Sequence, residues 1–105
     1  MTETTFKKKF LDRVKDRFPG CEILRGNAST QQGMVDHIIL YGPHWAGLEF
    51  KKSRSAKEQP NQDHFVKRLD DMSFGAFVYP ENEEEVFDAL EQAFTASRRT
   101  RISKS

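Results

Sequence analysis

The segment Val35–Tyr41 is apolar on both of the faces that an extended strand would present. Because side chains alternate along a strand, such a segment has to be covered on both sides, which favours a central strand in a layered sheet. Gly42-Pro43 then gives a turn signal, and Trp45–Lys52 is typical of a second strand. We therefore expect a β-hairpin inside a sheet that is antiparallel in at least this part.

Amphipathic periodicity predicts three helices around these strands. The predicted elements, in chain order, are a helix over Thr5–Phe18, strands over Glu22–Arg25, Val35–Tyr41 and Trp45–Lys52, a helix over Asn61–Met72, a strand over Ala76–Tyr79 and a helix that contains Val86, Phe87, Leu90 and Phe94. The order α-β-β-β-α-β-α predicts a single α/β layered domain over residues 1–96. Residues 97–105 are basic and nearly devoid of apolar side chains, so we expect a mobile tail there.

Composition limits the class of protein. The 105 residues suffice for one domain with one modest core, since 36% are hydrophobic, 31% are charged and nine are Phe. The longest apolar run is too short to span a bilayer, so no membrane association is expected. The single Cys21 excludes an internal disulfide and a multi-cysteine zinc site, and it favours a reducing, cytoplasmic location.

Charge is segregated along the chain although the net charge is only +1. Residues 1–20 and 46–68 each carry six Lys or Arg against three acids, whereas six acids crowd into Glu81–Glu91. Such a distribution could hold a polyanion on one side of the molecule. The competing interpretation, that these runs are ordinary solvated surface, is the better supported one when charge alone is considered.

The candidate chemistry lies in Asp36, Glu49 and Lys51. On a strand, Glu49 and Lys51 point to one face while their apolar neighbours enter the core, and Asp36 lies in the neighbouring strand segment. Two carboxylates suit Mg²⁺, which prefers oxygen ligands and keeps waters and a phosphate oxygen in its shell. Such an ion polarises a phosphate and activates water, while Lys51 could stabilise the developing charge. For each residue alone, a surface ion pair or a satisfied Asp is the simpler interpretation.

Other polar residues also have a functional and a structural interpretation. Lys52, Arg54 and Lys57 are candidates for phosphate contacts, against the alternative of a solvated loop. The three histidines lack metal-ligand spacing, and a solvated or satisfied core imidazole is favoured for each of them.

Gly33-x-x-Asp36, a turn, and then Glu49-x-Lys51 together resemble the PD-(D/E)XK nuclease signature, with Val35 where a proline often stands. Gln62 after a polar loop, the helix that follows and Gly75 before a short strand extend the likeness over about residues 3–92. The pattern is most similar to the small stand-alone VRR-NUC branch, which occurs in phages and resembles Holliday-junction resolvases. The resemblance implies a restriction-endonuclease-like layered domain with a mixed central sheet.

The resemblance also implies roles for individual residues. Asp36 and Glu49 would bind Mg²⁺, for which Mn²⁺ could substitute, and Lys51 would be catalytic. The backbone carbonyl of Phe50 would be a further metal ligand, and Glu3 would be another. Gln62 would lie in the catalytic site and contact the DNA backbone or a metal-bound water. The implied function is a Mg²⁺-dependent endonuclease that is selective for branched DNA such as four-way junctions.

A small resolvase-like domain would act as a homodimer, with Phe74 or Phe77 in an exposed apolar interface. Three alternatives stay open. The chain could be a nicking or restriction-type nuclease without branch preference, a non-catalytic nucleic-acid-binding module on the same scaffold, or a structural protein whose charges are fortuitous.

Overall fold

The computed structural model describes residues 3–26, 36–55 and 62–96, and from Thr5 onward it describes their side chains. The elements are α1 (Glu3–Arg17), β1 (Glu22–Arg25), β2 (His37–Tyr41), β3 (His44–Phe50), α2 (Gln62–Met72), β4 (Gly75–Val78), a 3₁₀ turn (Pro80–Asn82) and α3 (Glu83–Thr95). The predicted order of three helices and four strands is confirmed, with boundaries that differ by a few residues. The predicted basic tail and the Gly33–Val35 part of the motif lie outside the described residues.

The four strands form one mixed sheet in the order β1-β2-β3-β4. β1 and β2 are antiparallel, β2 and β3 are antiparallel, and β3 and β4 are parallel. Gly42, with φ +57°, begins the turn between β2 and β3, and Pro43 follows it. A positive φ before a proline, whose φ is fixed near −65°, suits a type II′ hairpin turn. The predicted hairpin is therefore confirmed.

Helices cover the sheet on both faces. Leu48 and Phe50 of β3 are buried on one face, where Phe50 meets Phe10 of α1 with ring centroids 5.6 Å apart. Glu49 lies between them in sequence and faces the opposite side, where Gln62 of α2 donates a hydrogen bond to it. The molecule thus has three layers, with α1 and α3 on one face of the sheet and α2 on the other.

Aromatic side chains make up much of the core under α1 and α3. The four-residue repeat Phe6, Phe10, Val14 and Phe18 is at most 2% exposed. Phe10 lies edge-on to Phe87 of α3 at 5.9 Å, and Phe18 lies edge-on to Phe94 at 5.1 Å. Burial of each such ring contributes roughly 1.5–3 kcal/mol. These contacts explain how a chain of low hydrophobic content builds a core.

The acidic segment of α3 has partners on α1. Nη1 of Arg13 lies 2.7 Å from Glu84 and 3.3 Å from Glu83, and Arg17 pairs with Glu91. Half-exposed pairs of this kind contribute little each, about 0–1 kcal/mol. Part of the charge segregation seen in the sequence therefore joins the two helices on one face.

The expected apolar patch around Phe74 and Phe77 is not an exposed surface. Both rings are partly buried, and Phe74 packs against the core. Among the described residues, the large apolar side chains with most exposure are Leu24, Leu40 and Met72. In the same part of the chain, no helix is long and apolar enough to cross a membrane.

Gly75 sets how closely α2 approaches β4. A Cβ atom at this position would lie 2.4 Å from the carbonyl oxygen of Val66 and 2.7 Å from the amide nitrogen of Asp70. We predict that Gly75→Ala lowers the free energy of unfolding by about 3 kcal/mol, because backbone atoms of α2 have to move. Urea denaturation followed by circular dichroism measures the change.

Gly42→Ala is the matched control, since a Cβ there meets nothing within 4 Å and only the positive φ is unfavourable. We expect it to cost about 1 kcal/mol. An equal or smaller loss in Gly75→Ala would contradict the close packing of α2 on β4.

Candidate functional site

The candidate site lies where β2 begins and β3 ends. In the hairpin register His37 is opposite Leu48, so Asp36, one residue before β2, comes opposite Glu49. Lys51 directly follows β3, and it shares the face of Glu49 because the two are two residues apart. Gln62 is the first residue of α2, the helix that covers this face. The hairpin and α2 therefore bring together four residues that the sequence singled out.

A chain of hydrogen bonds links these four residues. The backbone amide of Asp36 donates to Oε1 of Glu49 at 2.9 Å, and Nε2 of Gln62 donates to Oε2 of Glu49 at 2.6 Å. Nζ of Lys51 donates to Oε1 of Gln62 at 2.7 Å. Both oxygens of the Glu49 carboxylate are thus oriented, and Gln62 connects that carboxylate to the lysine ammonium.

Glu49 and Gln62 are each only 4% exposed, which is rare for such polar side chains. Burial and then the negative charge of Asp36 raise the pKa of Glu49 to about 7. Three contacts oppose this rise: the hydrogen bond from the backbone of Asp36, the charge of Lys51 and the hydrogen bond from Gln62. Near neutral pH the carboxyl group is therefore divided between its protonated and ionised forms.

The donor set suits a hard cation that keeps part of its water shell. Within the described residues, no group of three or more His, Cys, Asp and Glu side chains is arranged to hold a metal ion. Two carboxylates are nevertheless a usual protein contribution to a Mg²⁺ site, which waters and substrate oxygens complete. Each Glu49 oxygen that accepts one hydrogen bond retains a further lone pair. A cation here would also offset the repulsion that Asp36 exerts on Glu49.

Phe50 could take part only through its backbone. Its side chain is 1% exposed and lies in the aromatic core, edge-on to Phe6 and Phe10. As the last residue of β3, it lies between Glu49 and Lys51, so its carbonyl group belongs to the same strand end.

The structure describes two of the three basic residues that are candidates for contacts with the DNA backbone. Lys52 and Arg54 are exposed just beyond Lys51. The guanidinium of Arg54 lies 5.3 Å from the ring centroid of Tyr79, and its backbone amide donates to Glu81 at 3.2 Å. Glu3 begins α1, but its side chain lies outside the described residues, as does Lys57.

Sequence reasoning missed the ring of Phe77 beside the catalytic lysine candidate. Phe77 pairs with Glu49 in the β3–β4 register, and Nζ of Lys51 lies 5.9 Å from its ring centroid. The contact is too long to contribute strongly as a cation–π interaction. The strand alternation within Gly75–Val78 could have placed this ring on the face of Glu49, had the pairing with β3 been known.

His37 departs from the expectation of a satisfied imidazole. It is 3% exposed, and its Nδ1 atom has no hydrogen-bond partner among the described residues. A buried polar atom without a partner costs about 1–3 kcal/mol. Burial, and then the positive field of Lys7 and Arg25, lower the pKa of His37 against the opposing charge of Asp36.

A comparison with known proteins finds no family model, no curated protein and no solved structure that matches this chain.

The raised pKa of Glu49 has a measurable consequence for stability. Since the pKa is about 7 in the folded chain and about 4.5 as the reference value, the group contributes stability that is fully present below about pH 4.5 and lost as the pH rises through about 7. We predict that the unfolding free energy of the wild type falls between pH 4.5 and pH 8 by on the order of 2–3 kcal/mol more than that of Glu49→Gln. Urea titrations in EDTA at the two pH values measure this.

Glu22→Gln, at an exposed position of β1, is the control and should retain the wild-type pH dependence. Parallel profiles for the wild type and Glu49→Gln would show that Glu49 ionises as freely as an exposed carboxylate.

Proposed function

We propose that this chain is a metal-dependent endonuclease that hydrolyses DNA phosphodiester bonds. We further propose that it is a restriction-endonuclease-like member of the PD-(D/E)XK superfamily. The observation that carries the proposal is the buried Glu49 carboxylate, opposite Asp36 and joined through Gln62 to the ammonium of Lys51. Burying a carboxylate is costly, so a carboxylate kept in the interior with an oriented lysine points to chemistry more than to stability.

The topology supports the same proposal. The motif residues lie at the end of a central hairpin, and the next helix returns across the sheet before a strand that runs parallel to β3. That arrangement agrees with the mixed layered sheet that the resemblance implies.

The roles of the residues follow from their charges and positions. Asp36 and Glu49, with the carbonyl of Phe50, would hold Mg²⁺ or Mn²⁺ at the strand end. When bound, the metal ion would polarise a phosphate oxygen and lower the pKa of an attacking water. Lys51 lies two residues after Glu49 on the same face of the sheet. Its ammonium would stabilise negative charge that develops on the phosphate. Ionised Glu49 is the form that binds metal, so the affinity for the metal ion should increase as the pH rises toward about 7.

Gln62 would act on Lys51 and Glu49 together. Its amide nitrogen donates a hydrogen bond to Glu49, and its amide oxygen accepts one from Lys51. Together these bonds fix the distance between the carboxylate and the ammonium. A DNA phosphate near Lys51 would also be near this amide.

We also propose that the protein acts as a homodimer and that its substrate is branched DNA. Leu24 and Leu40 are 48% and 37% exposed, and the β1–β2 register places them on the same face of the sheet as Glu49. An apolar contact between two copies on that face would bring two sites toward one DNA molecule, as a four-way junction requires.

We predict that the wild type cleaves a labelled four-way junction with Mg²⁺ or Mn²⁺ and does not do so in EDTA. Lys51→Ala, Asp36→Asn and Glu49→Gln should each lower the cleavage rate by about 100-fold or more, since each removes a charge that stabilises the transition state or holds the metal. Gel analysis of single-turnover cleavage measures the rates, beside the matched linear duplex. Lys67→Ala is the control, because Lys67 is an exposed lysine of α2 that pairs with Asp71.

Equal cleavage by the wild type and the three site variants would overturn the assignment of these residues. Cleavage of both substrates would keep the nuclease and remove the branch preference. DNA binding without metal-dependent cleavage by the folded wild type would favour the non-catalytic binding module.

A further inference from the structure

A cavity lined by several charged side chains lies on the face of the sheet opposite Glu49. It has a volume of about 380 Å³, within the range of about 300–1,000 Å³ that is usual for small-molecule sites. Its polar lining comprises Lys7, Lys8, Asp12 and Lys15 of α1, Arg25 of β1 and His37 of β2. An adjoining cavity of about 360 Å³ shares Lys15, Arg25 and His37. Both cavities lie between α1 and the first two strands.

The lining carries excess positive charge. Lys8 is neutralised by Asp12, whose Oδ2 lies 3.0 Å from its Nζ. Lys7, Lys15 and Arg25 make no ion pair with any other described residue, although they line one cavity. Cations that line one cavity attract an anion, and a bound anion offsets their mutual repulsion.

His37 is the independent sign of a ligand. Its side chain lines both cavities and is 3% exposed, yet Nδ1 has no partner in the part of the chain that the structure describes. Buried polar atoms are paired in most native structures, so an unpaired one calls for an explanation, of which a bound ligand is one. The neutral ring can carry its proton on Nδ1, but this atom is itself buried, so an anion oxygen would have to displace its neighbours in order to accept from it.

We propose that this cavity binds a phosphate group, with Lys7 and Arg25 as its charged contacts and His37 in its wall. The phosphate can belong to a DNA strand or to a free phosphate compound. The DNA case rests on the nuclease function proposed above, whereas the free-phosphate case does not.

The location of the cavity favours a DNA strand. Arg25 is paired with His37, and His37 with Leu48, in the last register positions before the candidate site. Asp36 and His37 are neighbours that point to opposite faces, so the cavity and the carboxylates flank the same end of the sheet. A strand that crosses this end could place one phosphate near Lys51 and another phosphate in the cavity.

The experiment uses the full chain in two binding assays without catalysis. Fluorescence anisotropy in EDTA measures the affinity for a DNA junction between 50 and 200 mM KCl. NMR signals of the His37 imidazole, recorded at one fixed pH, measure the binding of inorganic phosphate. The variants are Lys7→Gln and Arg25→Gln. The matched control is Lys9→Gln, which makes the same change of charge on α1 at an exposed position outside the cavity lining.

For a DNA strand, we expect each cavity variant to weaken binding about fivefold and to reduce the salt slope by about 1, as for one lost phosphate contact. Lys9→Gln should change the affinity by less than twofold. For a free phosphate, the His37 signals of the wild type should shift saturably as phosphate is added, and they should not shift in either cavity variant. The DNA affinity of the cavity variants should then change as little as that of Lys9→Gln.

If neither assay separates the cavity variants from Lys9→Gln, the phosphate site is overturned. Mg²⁺-dependent cleavage, measured separately, decides the proposed function. Phosphate binding without cleavage would overturn the nuclease and leave this site standing, and cleavage without either binding effect would do the reverse.

Discussion

Strand β3 has a helix layer on each side. Its side chains alternate between the two faces of the sheet, and this alternation determines which side chains pack against which helix layer. Leu48 and Phe50 enter the aromatic core under α1 and α3, while Glu49 turns toward α2 and meets Gln62. A slip of one residue in the β2–β3 register would exchange these two sets of side chains. Glu49 would then be buried among phenylalanine rings, and Phe50 would face the polar end of α2. Core stability and the geometry of the candidate site are therefore specified by the same hydrogen-bonded register.

The burial of Glu49 has a free-energy cost that the fold offsets locally. The hydrogen bonds from the Asp36 amide and from Gln62, together with the charge of Lys51, favour the ionised carboxylate, but burial and the charge of Asp36 outweigh them. A buried polar network of this kind is stabilising only when all its members are satisfied. Gly75 contributes indirectly, since its missing Cβ lets α2 approach the sheet closely, and Gln62 is at the start of that helix. The site thus depends on a glycine on a different strand.

The local sequence pattern predicts much of the fold and part of the candidate site. The four-residue repeat of α1, the turn at Gly42 and the alternation of Leu48, Glu49 and Phe50 are short-range signals, and the structure agrees with them. Gln62 was identified only through the resemblance, because nothing in its local pattern sets it apart from other polar helix starts. The pairing of Phe77 with Glu49 could not be read from local pattern, because parallel strands joined through a helix have no fixed register in the sequence. The expected exposure of Phe74 and Phe77 was wrong because α2 and α3 pack beside β4.

The basic cavity shows why some sites escape sequence reasoning. Lys7, Arg25 and His37 lie on three different elements, and no spacing rule relates them. Asp36, the residue before His37, belongs to the motif, and its side chain points to the other face of the sheet. The motif therefore gives no indication of a site on the face of His37.

The two faces of this sheet end also present opposite charge to a polyanion. Asp36 and Glu49 on one face would repel a phosphate in the absence of a cation, and the single ammonium of Lys51 does not outweigh both carboxylates once Glu49 is ionised. Lys7, Lys15 and Arg25, which line the proposed phosphate site on the other face, would attract phosphate whether or not metal is bound. Binding and cleavage would then have separate electrostatic sources. Part of the affinity in EDTA would come from the cationic face, and a metal ion at the carboxylates would be needed to bring the scissile phosphate into place. Rising pH strengthens this division, because ionisation of Glu49 near pH 7 increases both the repulsion of bare phosphate and the attraction for a divalent cation.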